Sequence, residues 1–220
     1  VRGIVLENGT RLAMDAVMVA TGGLSYPTTG STGAGYRLAK ECGHTVTELK
    51  PALVPLETGE TYIPKLQGLS LRNVALRVKG KKKPVYEGFG EMMFTHFGIT
   101  GPLVLSASSY IGKSGLPWPM EAEIDLKPAL TETQLDERLL REFQAAQNKQ
   151  FKNVVPELFP SRLVPVMIEL SGIAPDRPVN GISPEERRVL VEKTKHIPLT
   201  IVGTRPYPEA IITQGGVSEK

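Results

Sequence analysis

From Leu71 to Lys79, apolar and polar residues alternate: Leu71, Asn73/Val74, Leu76 and Val78 are interleaved with Arg72, Arg77 and Lys79. A two-residue period over this length gives an extended strand with one face on a core and the other in water, and no helix can satisfy it. Lys81–Glu87 and Met92–Thr95 follow at short spacing, and Glu121–Leu126 reads as a further strand. Short strands punctuated by Gly and Pro predict a small antiparallel sheet or barrel. Between them Pro102–Ile111 reads as a short helix, because proline is well placed in a first turn.

The pattern changes at Pro128. Thr131 with Gln134 makes a capping box, and Leu135, Leu139, Leu140 and Phe143 fall on one helical stripe. Ser161–Leu170 is a second predicted helix. Ser183-Pro184-Glu185-Glu186 combines a capping box with proline at the first helical position and opens a third, to about Lys195. Leu199–Gly203 and Ala210–Thr213 then read as strands again, so the helices form an insertion within a β unit.

Before Pro51 the organisation differs. Arg2–Leu6 and Arg11–Ala13 flank Asn8-Gly9, a strong hairpin signal. Ala16–Ala20 is a continuous apolar run of the kind that forms a strand buried on both faces of a parallel sheet. Thr21-Gly22-Gly23 ends it, and after a loop Gly33–Cys42 reads as a helix closed by Gly43. Strand, glycine loop and helix in that order suit a nucleotide cofactor. Glycines let a ligand approach the backbone, Gly33 and Gly35 open a helix whose free N–H groups attract anions, and Ser31 and Thr32 can cap that helix or donate to a ligand oxygen. The bland alternative is a tight turn with Thr32 as N-cap, and the spacing departs from G-x-G-x-x-G.

These segments form part of a longer series. Ala20-Thr21-Gly22-Gly23 is followed by Ser25-Tyr26-Pro27, Gly30-Ser31-Thr32-Gly33, Gly35-Tyr36 and Lys50–Leu56. Then come Gln67–Ser70, Phe94–Pro102, Asp125–Pro128, Asn148–Phe151, Gly203–Pro206 and Ala210–Val217. The series resembles the BaiN-like family of FAD-binding flavoproteins, also called the aminoacetone oxidase family or NAD(P)/FAD-dependent oxidoreductases. The resemblance covers essentially the whole chain. It implies an α+β fold: a β-barrel-like antiparallel subdomain (51–127 and 197–214) carrying an inserted helical subdomain (128–196). Residues 1–50 would be a remnant of a discontinuous FAD-binding α/β domain, and 215–220 the start of its C-terminal segment. Ala20, Thr21, Gly22 and Gly23 would pass near FAD, with Gly30, Ser31, Thr32, Gly33 and Gly35 beside the cofactor or the active-site entrance. The resemblance also implies that the remaining FAD-domain segments lie before Val1 and after Lys220, so that this piece alone does not hold FAD tightly. It allows NAD(P)H as reductant and a small-molecule substrate, and leaves the substrate open among amines, ketones and steroid-like compounds.

Other residues offer chemistry of their own. His96, in the turn of Phe94–Pro102, could act as acid/base or orient a carbonyl, or simply bond backbone at a strand end. His44 and His196 sit at helix ends. The three are too scattered for a metal site, and with Cys42 as the one cysteine zinc is not expected. Cys42 reads as packing. Arg205 suits either a substrate carboxylate or an internal ion pair. Lys79-Gly80-Lys81-Lys82-Lys83 is a basic hairpin tip. It could touch phosphate, but it also reads as a solvated turn protecting an edge strand, with no interleaved aromatics to make a single-strand groove. Charges at Thr131–Lys195 alternate in sign, as on a solvated face.

Composition narrows the remaining choices. With 220 residues and 40% hydrophobic content there is enough apolar surface for a core, and a net charge of +3 is too small to argue for nucleic acid. No apolar run reaches the roughly 18–20 residues that span a bilayer, and no signal peptide is visible. A soluble, cytoplasmic protein with no nucleic-acid or membrane partner is therefore expected. The chain opens on Val1 within a strand-like run and stops just after another, which reads as an interior piece of a larger oxidoreductase. The competing reading is a partner- or nucleic-acid-binding module without activity of its own.

Overall fold

The computed structural model describes residues 2–219. Six strands close into an antiparallel barrel: β4 (Leu56–Thr58), β5 (Ser70–Val78), β6 (Tyr86–Phe94), β7 (Gly98–Thr100), β8 (Met120–Asp125) and β9 (Ile197–Thr204), in the order β4-β7-β6-β5-β8-β9. Period two makes the interior. Leu71, Val74, Leu76 and Val78 of β5 are buried, as are Met92 and Phe94 of β6, Ile124 of β8 and Ile197, Leu199 and Ile201 of β9. Burying each such side chain contributes roughly 1.5–3 kcal/mol. The β5 alternation takes an extra residue at Asn73, which has φ 56°, and the β5–β6 register shifts between Leu71 and Val74. The two-residue step Asn73/Val74 is thus a bulge.

α2 (Pro102–Ser114) packs against the barrel, chiefly on β6, and buries Leu103, Val104, Ala107, Ser108 and Ile111. It starts after Gly101, whose φ of 101° and position against Met92 exclude a side chain: a Cβ there would stand 2.9 Å from the Met92 Cα. The other helices, α3 (Glu132–Ala145), α4 (Phe151–Val154), α5 (Val164–Ser171) and α6 (Pro184–Lys195), lie between β8 and β9 in the chain. Both predicted capping boxes form, Thr131 with Gln134 and Ser183 with Glu186. Leu135, Leu139 and Phe143 are buried and join the barrel residues in one continuous core, whereas Leu140 faces outward. Lys195, 9% exposed, ties the helices to the barrel. Its Nζ donates to the carbonyls of Lys127 (2.9 Å) and Leu130 (2.7 Å) and pairs with Asp125 at 2.6 Å.

Several sequence expectations are corrected. Lys81–Val85 is a turn, and the strand starts at Tyr86. Because β5 pairs with both β6 and β8, the basic tip guards no free edge. The helix expected from Ser161 begins at Val164, after a turn, and Cys42 is exposed rather than packed. The hairpin β1 (Gly3–Val5) and β2 (Arg11–Ala13) forms as expected. The run Ala16–Ala20 forms no strand, and Met18 is 91% exposed. Among the described residues no strand lies beside it to complete a ladder, and none of its side chains is fully buried.

Candidate functional site

The glycine-rich loop leads into α1 (Ala34–Glu41) and is held by a strand from the far end of the chain. β10 (Ile212–Gln214) pairs with β3 (Lys50–Ala52) in a two-stranded ladder outside the barrel. Thr213 of β10 is the anchor: its Oγ1 accepts from the backbone N–H of Leu24 (2.8 Å) and Ser25 (3.1 Å) and lies 3.2 Å from Ser25 Oγ. Between loop and strand opens a cleft of about 320 Å³, lined by Gly23, Ser25, Tyr26, Ser31, Tyr36 and Thr213 among others. Its walls are hydroxyl-rich, which suits a polar ligand. Tyr26 adopts φ 52°, ψ 59°, a left-handed conformation unusual for a bulky side chain. The N–H and Oγ1 of Thr29 both donate to its carbonyl, at 2.9 and 2.7 Å.

The glycines of this loop have a packing role within the chain. A Cβ on Gly22 would stand 2.8 Å from Ser31 Oγ, one on Gly23 2.6 Å from Thr213 Oγ1, one on Gly33 2.8 Å from Leu24 Cδ2 and one on Gly35 2.4 Å from Thr21 Oγ1. The space freed at these four positions is filled by the chain's own side chains, so the glycines pack the loop against α1 and β10. Gly30, with φ 93°, has open space around it. Neither Ser31 nor Thr32 caps α1: the N-cap is Gly33, with no side-chain hydrogen bond. Ala20 lies in the irregular segment before the loop and is exposed.

His96 and Arg205 meet elsewhere, on Phe97. The exposed His96 ring stands edge-on to Phe97 with centroids 5.0 Å apart, and the Arg205 guanidinium lies 4.4 Å from the same ring's centroid. Arg205 also pairs with Glu209 at 2.6 Å and with Glu57 at 2.8 Å. Hydrogen bonds to Glu209 and then Glu57 raise its already high pKa further. Its donors are therefore engaged internally, which favours the ion-pair alternative. The segment from Arg205 to Gln214 runs against 50–55 and links the two places. Arg205 N donates to Pro55 O, Ile211 N to Leu53 O, and Thr213 is registered opposite Pro51.

Thr213, Ser25, Tyr26 and Tyr36 are among the lining residues that the sequence did not single out. Only their place in short segments, Ser25-Tyr26-Pro27, Gly35-Tyr36 and Ala210–Val217, offered a signal. No group of three His, Cys, Asp or Glu residues able to hold a metal occurs among the described residues. No helix there is long and apolar enough to cross a membrane.

Comparison with known proteins bears on this arrangement. A family described as the HI0933-like protein barrel and H2TH domain matches residues 50–212. Over its full length the chain is 34% identical to the ribosomal RNA dihydrouridine synthase of Haemophilus influenzae, of which it covers 52%. It is 28% identical over 97% of its length to the 3-dehydro-bile acid delta(4,6)-reductase of Clostridium scindens, covering 52% of that protein. Against the ribosomal RNA dihydrouridine synthase of Escherichia coli it is 28% identical over 98% of its length, covering 51%. The chain thus spans about half the length of these relatives.

Proposed function

The chain belongs to the HI0933-like protein family, and from that premise we propose that it forms one edge of an FAD pocket and the substrate-side cover of a flavin-dependent reductase. The observation that carries this reading is the hydroxyl-lined cleft where Thr213 clamps the loop at Leu24 and Ser25. Its volume of about 320 Å³ is at the low end of the roughly 300–1,000 Å³ of small-molecule sites, so it suits part of a dinucleotide. The residues present fit such an edge: Ser25, Ser31 and Thr213 offer hydroxyls, Tyr26 and Tyr36 offer rings, and the α1 start is free of a side-chain cap.

The relatives' activities narrow the chemistry. Making dihydrouridine saturates a ring double bond conjugated with a carbonyl, and a delta(4,6)-reductase also removes carbon–carbon unsaturation. We assign the same reaction class here: a hydride and a proton add across a carbon–carbon double bond activated by a carbonyl. Flavin, when bound, would supply the hydride in its reduced form, with NAD(P)H as the source of electrons. His96 is the residue of this chain best presented for the substrate. Phe97 holds it edge-on and exposed, ready to hydrogen-bond the carbonyl or deliver the proton. The Arg205 guanidinium, itself paired with Glu57, lies over the Phe97 ring.

The test is the intact protein carrying this chain. It should purify with flavin absorbance, and NAD(P)H should bleach that absorbance until an enone is added. A colourless protein that takes up no FAD overturns the reading. His96→Asn should lower turnover of the enone while leaving flavin content unchanged; unaltered turnover removes His96 from the site.

A further inference from the structure

The turn between β5 and β6 carries Lys81, Lys82 and Lys83, all exposed. In the linear sequence no aromatic residue interleaves with them. In the fold, α2 ends beside them. Gly80, Lys81, Lys83, Val85, Tyr110 and Lys113 line one concavity of about 330 Å³. A second, of about 360 Å³, lies on the other side of Gly80 and Lys81 and is walled by Leu116, Pro117 and Pro119. Tyr110 is 56% exposed and is packed against Tyr86, ring centroids 5.3 Å apart, and Trp118 is exposed between the two prolines. No carboxylate among the described residues lies within ion-pairing distance of Lys81, Lys82, Lys83 or Lys113. The neighbouring acid Glu121 is neutralised by Lys79 at 3.0 Å.

We propose that this surface, the β5–β6 turn with the last turns of α2, binds an unstacked RNA strand. The unpaired lysines match a phosphate backbone, and they are fixed to a barrel rather than carried on a tail. Exposed rings beside them are what unstacked bases need: an aromatic face accepts any base, and an ammonium group nearby holds the phosphate. One helix links this surface to the cleft: Gln214 abuts α2 at Gly112, where a Cβ would stand 2.5 Å from its Oε1, and its neighbour Thr213 lines the cleft. Gly112 and Tyr110 lie on opposite sides of that helix, so α2 carries the RNA surface on one side and braces the cleft strand on the other. The choice of RNA rests on the proposed reduction of a carbonyl-conjugated double bond, which the uracil ring contains. Chemistry on such a base requires it to leave the stack.

The experiment measures binding of a labelled, uridine-rich single-stranded RNA to the intact protein by fluorescence anisotropy across a salt series. The triple variant Lys81→Gln/Lys82→Gln/Lys83→Gln should lower the slope of log K against log salt by about 2, since each phosphate contact on a single strand contributes roughly 0.7. Tyr110→Ala and Trp118→Ala should each weaken binding roughly tenfold without changing the slope. All five positions are exposed, so melting temperatures should stay at the parent value and show that the variants fold. Three results overturn the inference: no RNA binding at low salt, an unchanged slope in the lysine variant, or aromatic variants that bind as tightly as the parent, which would leave only a general polyanion patch. Flavin absorbance and reduction of a small enone are read on the same preparations. A yellow, enone-reducing protein that ignores RNA sinks this inference and leaves the reductase reading standing; a colourless protein that binds RNA does the reverse.

Discussion

Replacing Thr213 by Val tests how the cleft is held. Valine keeps the shape and β-branching of the residue and removes the oxygen that accepts from Leu24 N, from Ser25 N and, in its turn, meets Ser25 Oγ. A buried donor left without a partner costs about 1–3 kcal/mol. Both amides are only partly buried and the cleft admits water, so the low end applies to each, about 2 kcal/mol together. That corresponds to a roughly thirty-fold rise in local opening. The loss is confined to the loop, because Thr213 touches none of the barrel interior and the main core is formed by other strands. Amide hydrogen exchange should therefore show Leu24 and Ser25 losing protection while the β5 and β6 amides keep theirs. Thr213→Ser retains the oxygen and should stay near the parent. Equal protection in the Val and Ser variants would refute the clamp. Under the proposed function, flavin affinity should fall with the protection; a protein that loses one and keeps the other has its flavin elsewhere.

Lys195→Met strands the Asp125 carboxylate and two carbonyls at the junction of barrel and helices, and should cost about 3–5 kcal/mol in urea unfolding, with part recovered on adding Asp125→Asn. Tyr62 is buried and donates to the Pro198 carbonyl; burial first, then Glu60, pushes its pKa above the usual value of about 10. The folded state therefore keeps the phenol proton more firmly than the unfolded state does. The stability this confers is complete below about pH 10 and is lost as pH rises above it, so thermal melts should fall more steeply in alkali for the parent than for Tyr62→Phe. Gly101→Ala forces a side chain into a glycine-only backbone region and against Met92, and should destabilise by about 2–4 kcal/mol in the same urea assay. Arg205→Lys should cost about 1 kcal/mol, since the group is partly exposed and its planar contacts with Glu57, Glu209 and Phe97 are what lysine cannot reproduce.

What could be read in advance depended on whether the cause was local. The β5 alternation, including its awkward step at Asn73/Val74, is a property of nine consecutive residues, and so are the two capping boxes; all three appear where expected. Strands β8 and β9 were visible for the same reason, and the α+β barrel follows from them. Ala16–Ala20 was misread because a buried strand requires neighbours, and an apolar run does not reveal whether any are present. The glycine loop was located correctly, but the purpose of its glycines depends on side chains that approach from Thr213, Ser31 and Thr21. Tyr36 and Thr213 could not be paired from the sequence, since nothing in either segment refers to the other. The meeting of His96 with Arg205 on Phe97, and of Lys81 with Tyr110, likewise depends on barrel closure.

The hydrogen bond from Leu24 to Thr213 joins residues 189 positions apart. A ribosome that has released residues 2–204 has delivered every strand of the barrel and all six helices, yet β10 is still inside the exit tunnel. The barrel can close at that point, but the cleft must wait for Ile212–Gln214 to emerge. Assembly of this edge therefore follows barrel closure during synthesis, and a chain halted just before Ile212 should be folded, compact and without the Thr213 clamp.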